Sequence, residues 1–168
     1  MKLIIIRHGR AGTPAQFAQS GMGDDLRPLT VEGRKRMRHN AQGLAGMISH
    51  IDALGASPLV RAVETAQIIA KSYGKLTPVE VPDLAPGGDR AQVVAWIGQH
   101  PMTATLAVVG HEPSLSELAA FLVSGDSKPF FELKKGGACC VLMPQRVAGG
   151  SGTLDWLMTP RQLRSFRR

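Results

Sequence analysis

Short aliphatic bursts alternate along this chain with segments of helical period, and that order predicts most of its elements. Residues 3–6 are four consecutive aliphatics without alternation, the pattern of a strand buried on both faces in a parallel sheet. Residues 10–28 show no convincing period, which makes them a long connection, either mobile or functional. Thr30 then reads as an N-cap with Glu32 in the first turn, and Val31, Met37, Ala41, Leu44 and Ile48 follow at helical spacing. A short strand over 51–56 runs into Ser57-Pro58, which reads as an N-cap followed by proline at the first helical position. Leu59, Ala62, Ala66 and Ile69 mark the apolar face of that helix, and Gly74 ends it. A brief strand near 79–81 precedes the turn Pro86-Gly87-Gly88, and Asp89 caps a helix reaching about Gln99. A second apolar strand over 105–109 leads to a helix over 114–123. Residues 125–136 form an irregular connection, and strands over 138–143 and 153–158 close the chain as a hairpin around a Gly-rich turn. Alternating strands and helices define an α/β chain, and its 168 residues, 1–168, are expected to form a single domain.

Composition excludes several classes. No stretch reaches the length of a transmembrane helix, and the opening apolar run is too short for a signal peptide, so no membrane association and a cytoplasmic home are expected. Cys139 and Cys140 are adjacent inside an apolar run, without metal or redox spacing, and read as buried reduced thiols. The net charge is +7, concentrated in Arg34-Lys35-Arg36 with Arg38 and in Arg161, Arg164, Arg167 and Arg168. No nucleic-acid-binding motif accompanies it and aromatics are only 5%, which disfavours a nucleic-acid partner; an anionic substrate or an acidic docking surface on a phosphorylated partner explains the sign equally well, and charge alone does not decide.

Three segments share one design, a strand ending in polar groups: Arg7-His8-Gly9, Ser57 to Ala62, and Gly110-His111-Glu112-Pro113. Open α/β sheets place ligands at the carboxyl ends of their strands. Helix N-termini there suit phosphate. If the three ends are neighbours, His8, His111, Arg7 and Arg61 converge on one pocket. Phosphoryl transfer needs such a set: cations around the equatorial oxygens, and a nucleophile such as neutral imidazole opposite the leaving group. His39, His50 and His100 have no supporting pattern.

With LIIIRHG, LRPLTVEGRKR, SPLVRAVETA and VVGHEPSL in order, the chain resembles the histidine phosphatase (phosphoglycerate mutase-like) superfamily, and most of all its small bacterial phosphohistidine phosphatase branch. The resemblance implies a three-layer αβα sandwich with a central, mostly parallel sheet. It implies His8 as a transiently phosphorylated nucleophile, Arg7 and Arg61 as ligands of the phosphoryl oxygens, and His111 as charge stabiliser. Arg27 would add a further cation, and Gly9 would permit close approach. No metal and no other cofactor is expected, because side chains supply the cations. Ester-cleaving relatives carry a glutamate that protonates the leaving alcohol; no clear counterpart stands here, and Asp83, Asp89, Glu112 or Asp24 and Asp25 in the 10–28 loop are the possible substitutes. An alkoxide leaves badly without an acid. The expected substrate is therefore phosphohistidine in a signalling protein, such as a histidine phosphotransfer or phosphocarrier protein, and short connections leave the pocket open to a protein surface. A small-molecule phosphomonoesterase, or a phosphate- or nucleic-acid-binding module without turnover, are the alternatives.

Overall fold

In a computed structural model, which describes residues 1–74 and 76–167, the buried run at the N-terminus forms the middle of a six-stranded sheet. Strand β1 (Lys2–Arg7) lies in the order β3-β2-β4-β1-β5-β6, with β2 at Ala53–Ala56, β3 at Val79–Glu80, β4 at Thr105–Gly110, β5 at Ala138–Leu142 and β6 at Thr153–Met158. The strands from β3 to β1 are parallel, and β5 and β6 extend the sheet as an antiparallel hairpin. Leu3 and Ile5 pack on one face with Ile97 of α4 (Arg90–Gly98) and Leu115, Leu118 and Leu122 of α5 (Ser114–Ser124). Ile4 and Ile6 pack on the other face with Met37, Ala41 and Leu44 of α2 (Val31–Met47), Ala66 and Ile69 of α3 (Val60–Lys71), and Leu163 of α6 (Pro160–Ser165). The layers are helix, sheet and helix, the expected αβα sandwich. No helix among the described residues is long and apolar enough to cross a membrane.

Thr30 caps α2 by accepting from the Gly33 N–H at 2.9 Å, and Asp89 caps α4 through the Ala91 N–H at 2.8 Å, both as the sequence predicts. Cys139 and Cys140 are buried free thiols in β5. Other details differ. Val31, at the start of the α2 stripe, is 82% exposed and does not join the buried face of Gly33, Met37, Ala41 and Leu44. The 10–28 connection contains α1 (Pro14–Ala18), capped by Thr13, and a 3-10 turn at Asp24–Leu26. Helix α3 begins at Val60 with Leu59 in the cap position, so Ser57 is not its N-cap. The terminal helix α6 was not anticipated, although Thr159-Pro160-Arg161-Gln162 is a complete capping box with proline in the first turn. Arg168, counted with the basic tail, lies outside the described residues.

Helix α6 docks on α2 backbone to backbone. A Cβ at Gly43 would overlap the Leu163 carbonyl, and one at Gly46 would overlap the Phe166 carbonyl. In an exposed helix interior, alanine is better than glycine by about 1 kcal/mol. Here overlap reverses the sign. Gly43→Ala is expected to lower the thermal midpoint by roughly 3–10 °C, since overpacking costs about 1–3 kcal/mol; calorimetry of the two proteins checks it.

Candidate active site

The register of the sheet brings three strand ends into one row. Ile6 of β1 and Ala56 of β2 both pair with Val109 of β4, one from each side. The hydrogen bonding continues one step past the strands: the His8 N–H donates to the Gly110 carbonyl at 3.1 Å, and the Ser57 N–H to the Val109 carbonyl at 3.0 Å. His8, His111 and Ser57 therefore leave the sheet together. The two imidazole centroids lie 5.0 Å apart with planes tilted by 52°. His111 Nε2 is hydrogen-bonded to Ser57 Oγ at 2.9 Å, and the hydroxyl is fully buried.

The His8 ring is held by its own backbone. Nδ1 lies 2.7 Å from the Gly9 carbonyl, which only accepts, so the Nδ1–H donates and the neutral ring keeps its lone pair on Nε2. The Gly9 N–H donates to Thr65 Oγ1 at 3.0 Å, and that hydroxyl donates to the Arg61 carbonyl at 2.7 Å. One buried threonine thus ties the β1 end to the first turn of α3. A Cβ on Gly9 would sit 3.3 Å from Leu29 Cδ2 and 3.6 Å from Met37 Cβ, so the glycine makes room for packing, while its carbonyl and N–H fix His8. Gly136, at φ +79°, turns the chain back so that its N–H donates to the carbonyls of Arg7 and His8.

Burial, with Arg61, Arg7 and Lys135 adding repulsion, outweighs the Gly9 hydrogen bond and lowers the His8 pKa to about 4. Burial, then His8 and Arg61, lowers that of His111 to about 3. Both rings are neutral at pH 7. Arg61 is 4% exposed; its Nη1 donates to the Asp24 carbonyl at 2.8 Å and lies 3.2 Å from the Asp24 carboxylate. Arg27, also buried, is held by the same loop, with Nε donating to Asp24 at 2.7 Å and Nη1 to the Gly12 carbonyl at 2.5 Å. Arg7 Nη1 donates to Glu132 at 3.0 Å and to the Leu133 carbonyl at 2.5 Å. Nε of Arg7 and Nε of Arg61 are buried without a hydrogen-bond partner.

The structure thus brings Arg7, His8, Gly9, Arg61 and His111 together and sets Arg27 beside them through Asp24. Of the carboxylates weighed as acids, Asp83 accepts from the Asp89 N–H, Asp89 caps α4, and Glu112 accepts from the Leu133 N–H and binds the Ser116 hydroxyl. Asp24 contacts Arg61, but the Arg27 hydrogen bond holds its carboxyl below the usual range, the wrong direction for a proton donor. Sequence reasoning placed Ser57 at a strand end but as a helix cap rather than a partner of His111, and it missed Thr65 and the Glu132 to Lys135 stretch. Ser57 was detectable from its place, one residue past a strand like His8; the other two carry no local signal.

A family model described as the histidine phosphatase superfamily (branch 1) matches residues 3–85. The chain is 30% identical over 167 residues to the phosphohistidine phosphatase SixA of Escherichia coli (strain K12), covering 98% of this chain and 97% of that protein. It belongs to the histidine phosphatase superfamily and is a hydrolase. Its fold matches the solved structure of the protein histidine phosphatase SixA complexed with tungstate at a TM-score of 0.81, with 29% identity, 97% of this chain and 99% of that chain covered. An uncharacterised protein of Picosynechococcus sp. (strain ATCC 27264 / PCC 7002 / PR-6) is 35% identical over 139 residues, 82% of each. Among histidine phosphatases this chain is close to SixA.

Two buried neutral histidines make the fold acid-sensitive. The unfolded chain protonates them near pH 6.5, the folded chain only near 4 and 3, so stability falls as the pH drops below 6.5. The loss is roughly 2 kcal/mol per histidine at pH 5. Thermal melts of wild type and His8→Asn between pH 7 and 5 should show a clearly shallower fall in the variant. An identical fall would mean that His8 titrates normally in the folded chain.

Proposed function

We propose that His8 Nε2 takes the phosphoryl group from a phosphohistidine on a signalling or phosphocarrier protein and that water then releases it. The observation that carries this reading is the Nδ1–H bond to the Gly9 carbonyl, which leaves a buried, neutral ring with its lone pair on Nε2. In the first step the Nε2–P bond forms as the substrate N–P bond breaks, and the departing imidazole takes up a proton from solvent. In the second, water attacks phosphorus, the Nε2–P bond breaks, and inorganic phosphate leaves.

Arg7 and Arg61 would bind the equatorial oxygens, and their unpartnered Nε–H groups are donors still to be satisfied. Asp24 neutralises Arg61 while no anion is bound, and the arriving phosphoryl group replaces it there. A dianion beside His111 raises its affinity for a proton, while the His8 lone pair is engaged with phosphorus, so His111, neutral in the free protein, becomes the cation that stabilises the transferring group. Arg27 acts at one remove, holding Asp24 and the loop. The relatives' names favour the same substrate: one is called a phosphohistidine phosphatase, and tungstate in the SixA complex is a tetrahedral oxyanion with the shape of phosphate.

Of the carboxylates weighed as acids, Asp83, Asp89 and Glu112 are committed to structure and Asp24 is held ionised, so none of these four would protonate an ester oxygen as it leaves. General acid catalysis contributes about 10²–10⁴-fold. The enzyme is therefore expected to prefer a phosphohistidine protein over sugar phosphates and nucleotides by at least about 100-fold in kcat/KM. Rapid quench with a labelled phosphohistidine donor should trap acid-labile phosphate on the wild-type chain and none on His8→Ala. Full turnover by His8→Ala would falsify the mechanism, and equal rates on esters would overturn the substrate assignment.

A further inference from the structure

The basic residues that look like one cluster in the sequence are dispersed by the fold. On α2, Arg34 turns to α3 and bonds Glu64 at 2.6 Å, while Arg36 lies on the side of Gly33, Met37 and Asn40. There it meets Arg10, Lys135, Arg161 and Arg164, which arrive from three other places in the sequence, the last two from α6. Together they border a cleft of about 300 Å³. Among the described residues, no Asp, Glu or aromatic side chain lines it. Arg36 pairs with Glu32 in an exposed ion pair at 2.7 Å. Arg10, Lys135 and Arg161 make no ion pair among the described residues.

The cleft is built and it adjoins the nucleophile. Its floor is Asn40, whose amide donates to the Gly136 carbonyl at 3.0 Å and whose carbonyl oxygen accepts from Arg164 at 3.0 Å. Gly9 and Gly136, which bond to His8 from either side, also line it. Burial first, and then repulsion from Arg7, Arg27, Arg10 and Arg61, lowers the proton affinity of Lys135.

We propose that this cleft docks acidic side chains flanking the phosphohistidine of a protein substrate, an inference that rests on the phosphohistidine reading above. Arg7, Arg61 and His111 suffice for one phosphoryl group, so the cleft cations without an ion pair among the described residues, Arg10, Lys135, Arg161 and Arg164, call for a second source of negative charge. A nucleotide would want an aromatic face for its base, and the cleft has none. Long exposed cations around an open cleft instead suit the rim of a protein interface, where they speed encounter and select the partner.

The test uses two peptides carrying phosphohistidine, one with Asp and Glu around it and one with Asn and Gln in their place. The comparison protein is Arg36→Gln/Arg161→Glu; Glu suits the first turn of α6, so folding is preserved. Wild type should hydrolyse the acidic peptide with about tenfold higher kcat/KM at low salt, and the variant should lose the preference while keeping its rate on the neutral peptide. Equal wild-type rates on both peptides, or an equal loss on both in the variant, overturn the docking site and leave the phosphohistidine reading standing. If neither peptide is hydrolysed, that reading fails, and fluorescence anisotropy with the unphosphorylated acidic peptide decides the cleft: binding by wild type and weaker binding by the variant support it, and equal or absent binding overturns it.

Discussion

Everything at the site depends on β1 being buried on both faces and hydrogen-bonded along both edges. Ile4 and Ile6 serve one core and Leu3 and Ile5 the other, while β4 and β5 pair with the backbone on either side. A strand fixed in every direction has no freedom in register. A slip of one residue would turn every side chain to the opposite core. The residue that follows such a strand is therefore positioned as firmly as the sheet itself, and that residue is His8. The same holds for His111 after β4 and Ser57 after β2, because all three strands share one register.

Rigidity alone does not make the imidazole useful; its charge state does. Burial and three cations keep His8 neutral at the cost of acid stability. Opposing charge is admitted only at the margin. Glu132 pairs with Arg7 and Asp24 with Arg61, and both carboxylates are more than half exposed. A carboxylate buried against either ring would raise its pKa and hold a proton on the lone pair. The site keeps its anions where water screens them and where an incoming phosphoryl group can displace them.

The strand and helix order was legible because period, caps and strand ends are local properties. Thr30 and Asp89 cap as read, and β1 runs where four aliphatics place it. Ser57 shows the limit. A serine before proline is a good cap signal, yet tertiary context gave its hydroxyl to His111 and left α3 to begin three residues later. The α6 capping box was equally local and was overlooked next to a basic tail that invited a charge argument. Glu132 and Lys135 were beyond reach. They sit in an irregular connection and come to the site only because Gly136 returns the chain to the end of β1.

Charge patterning misled for a related reason. Four cations within five residues of a helix spread around its circumference at 100° per residue, so they do not form one patch. Arg34 is spent on Glu64 and Arg36 on the cleft. A patch on a folded surface is assembled by topology, as Arg10, Arg36, Lys135, Arg161 and Arg164 are. Each comes from a segment that also braces the nucleophile or its neighbours: the turn after β1, the face of α2, the Gly136 turn, and α6 anchored through Asn40. The elements that hold His8 in place therefore also carry the positive field beside it, so a change that loosens α6 should disturb the field next to the nucleophile without touching the nucleophile itself.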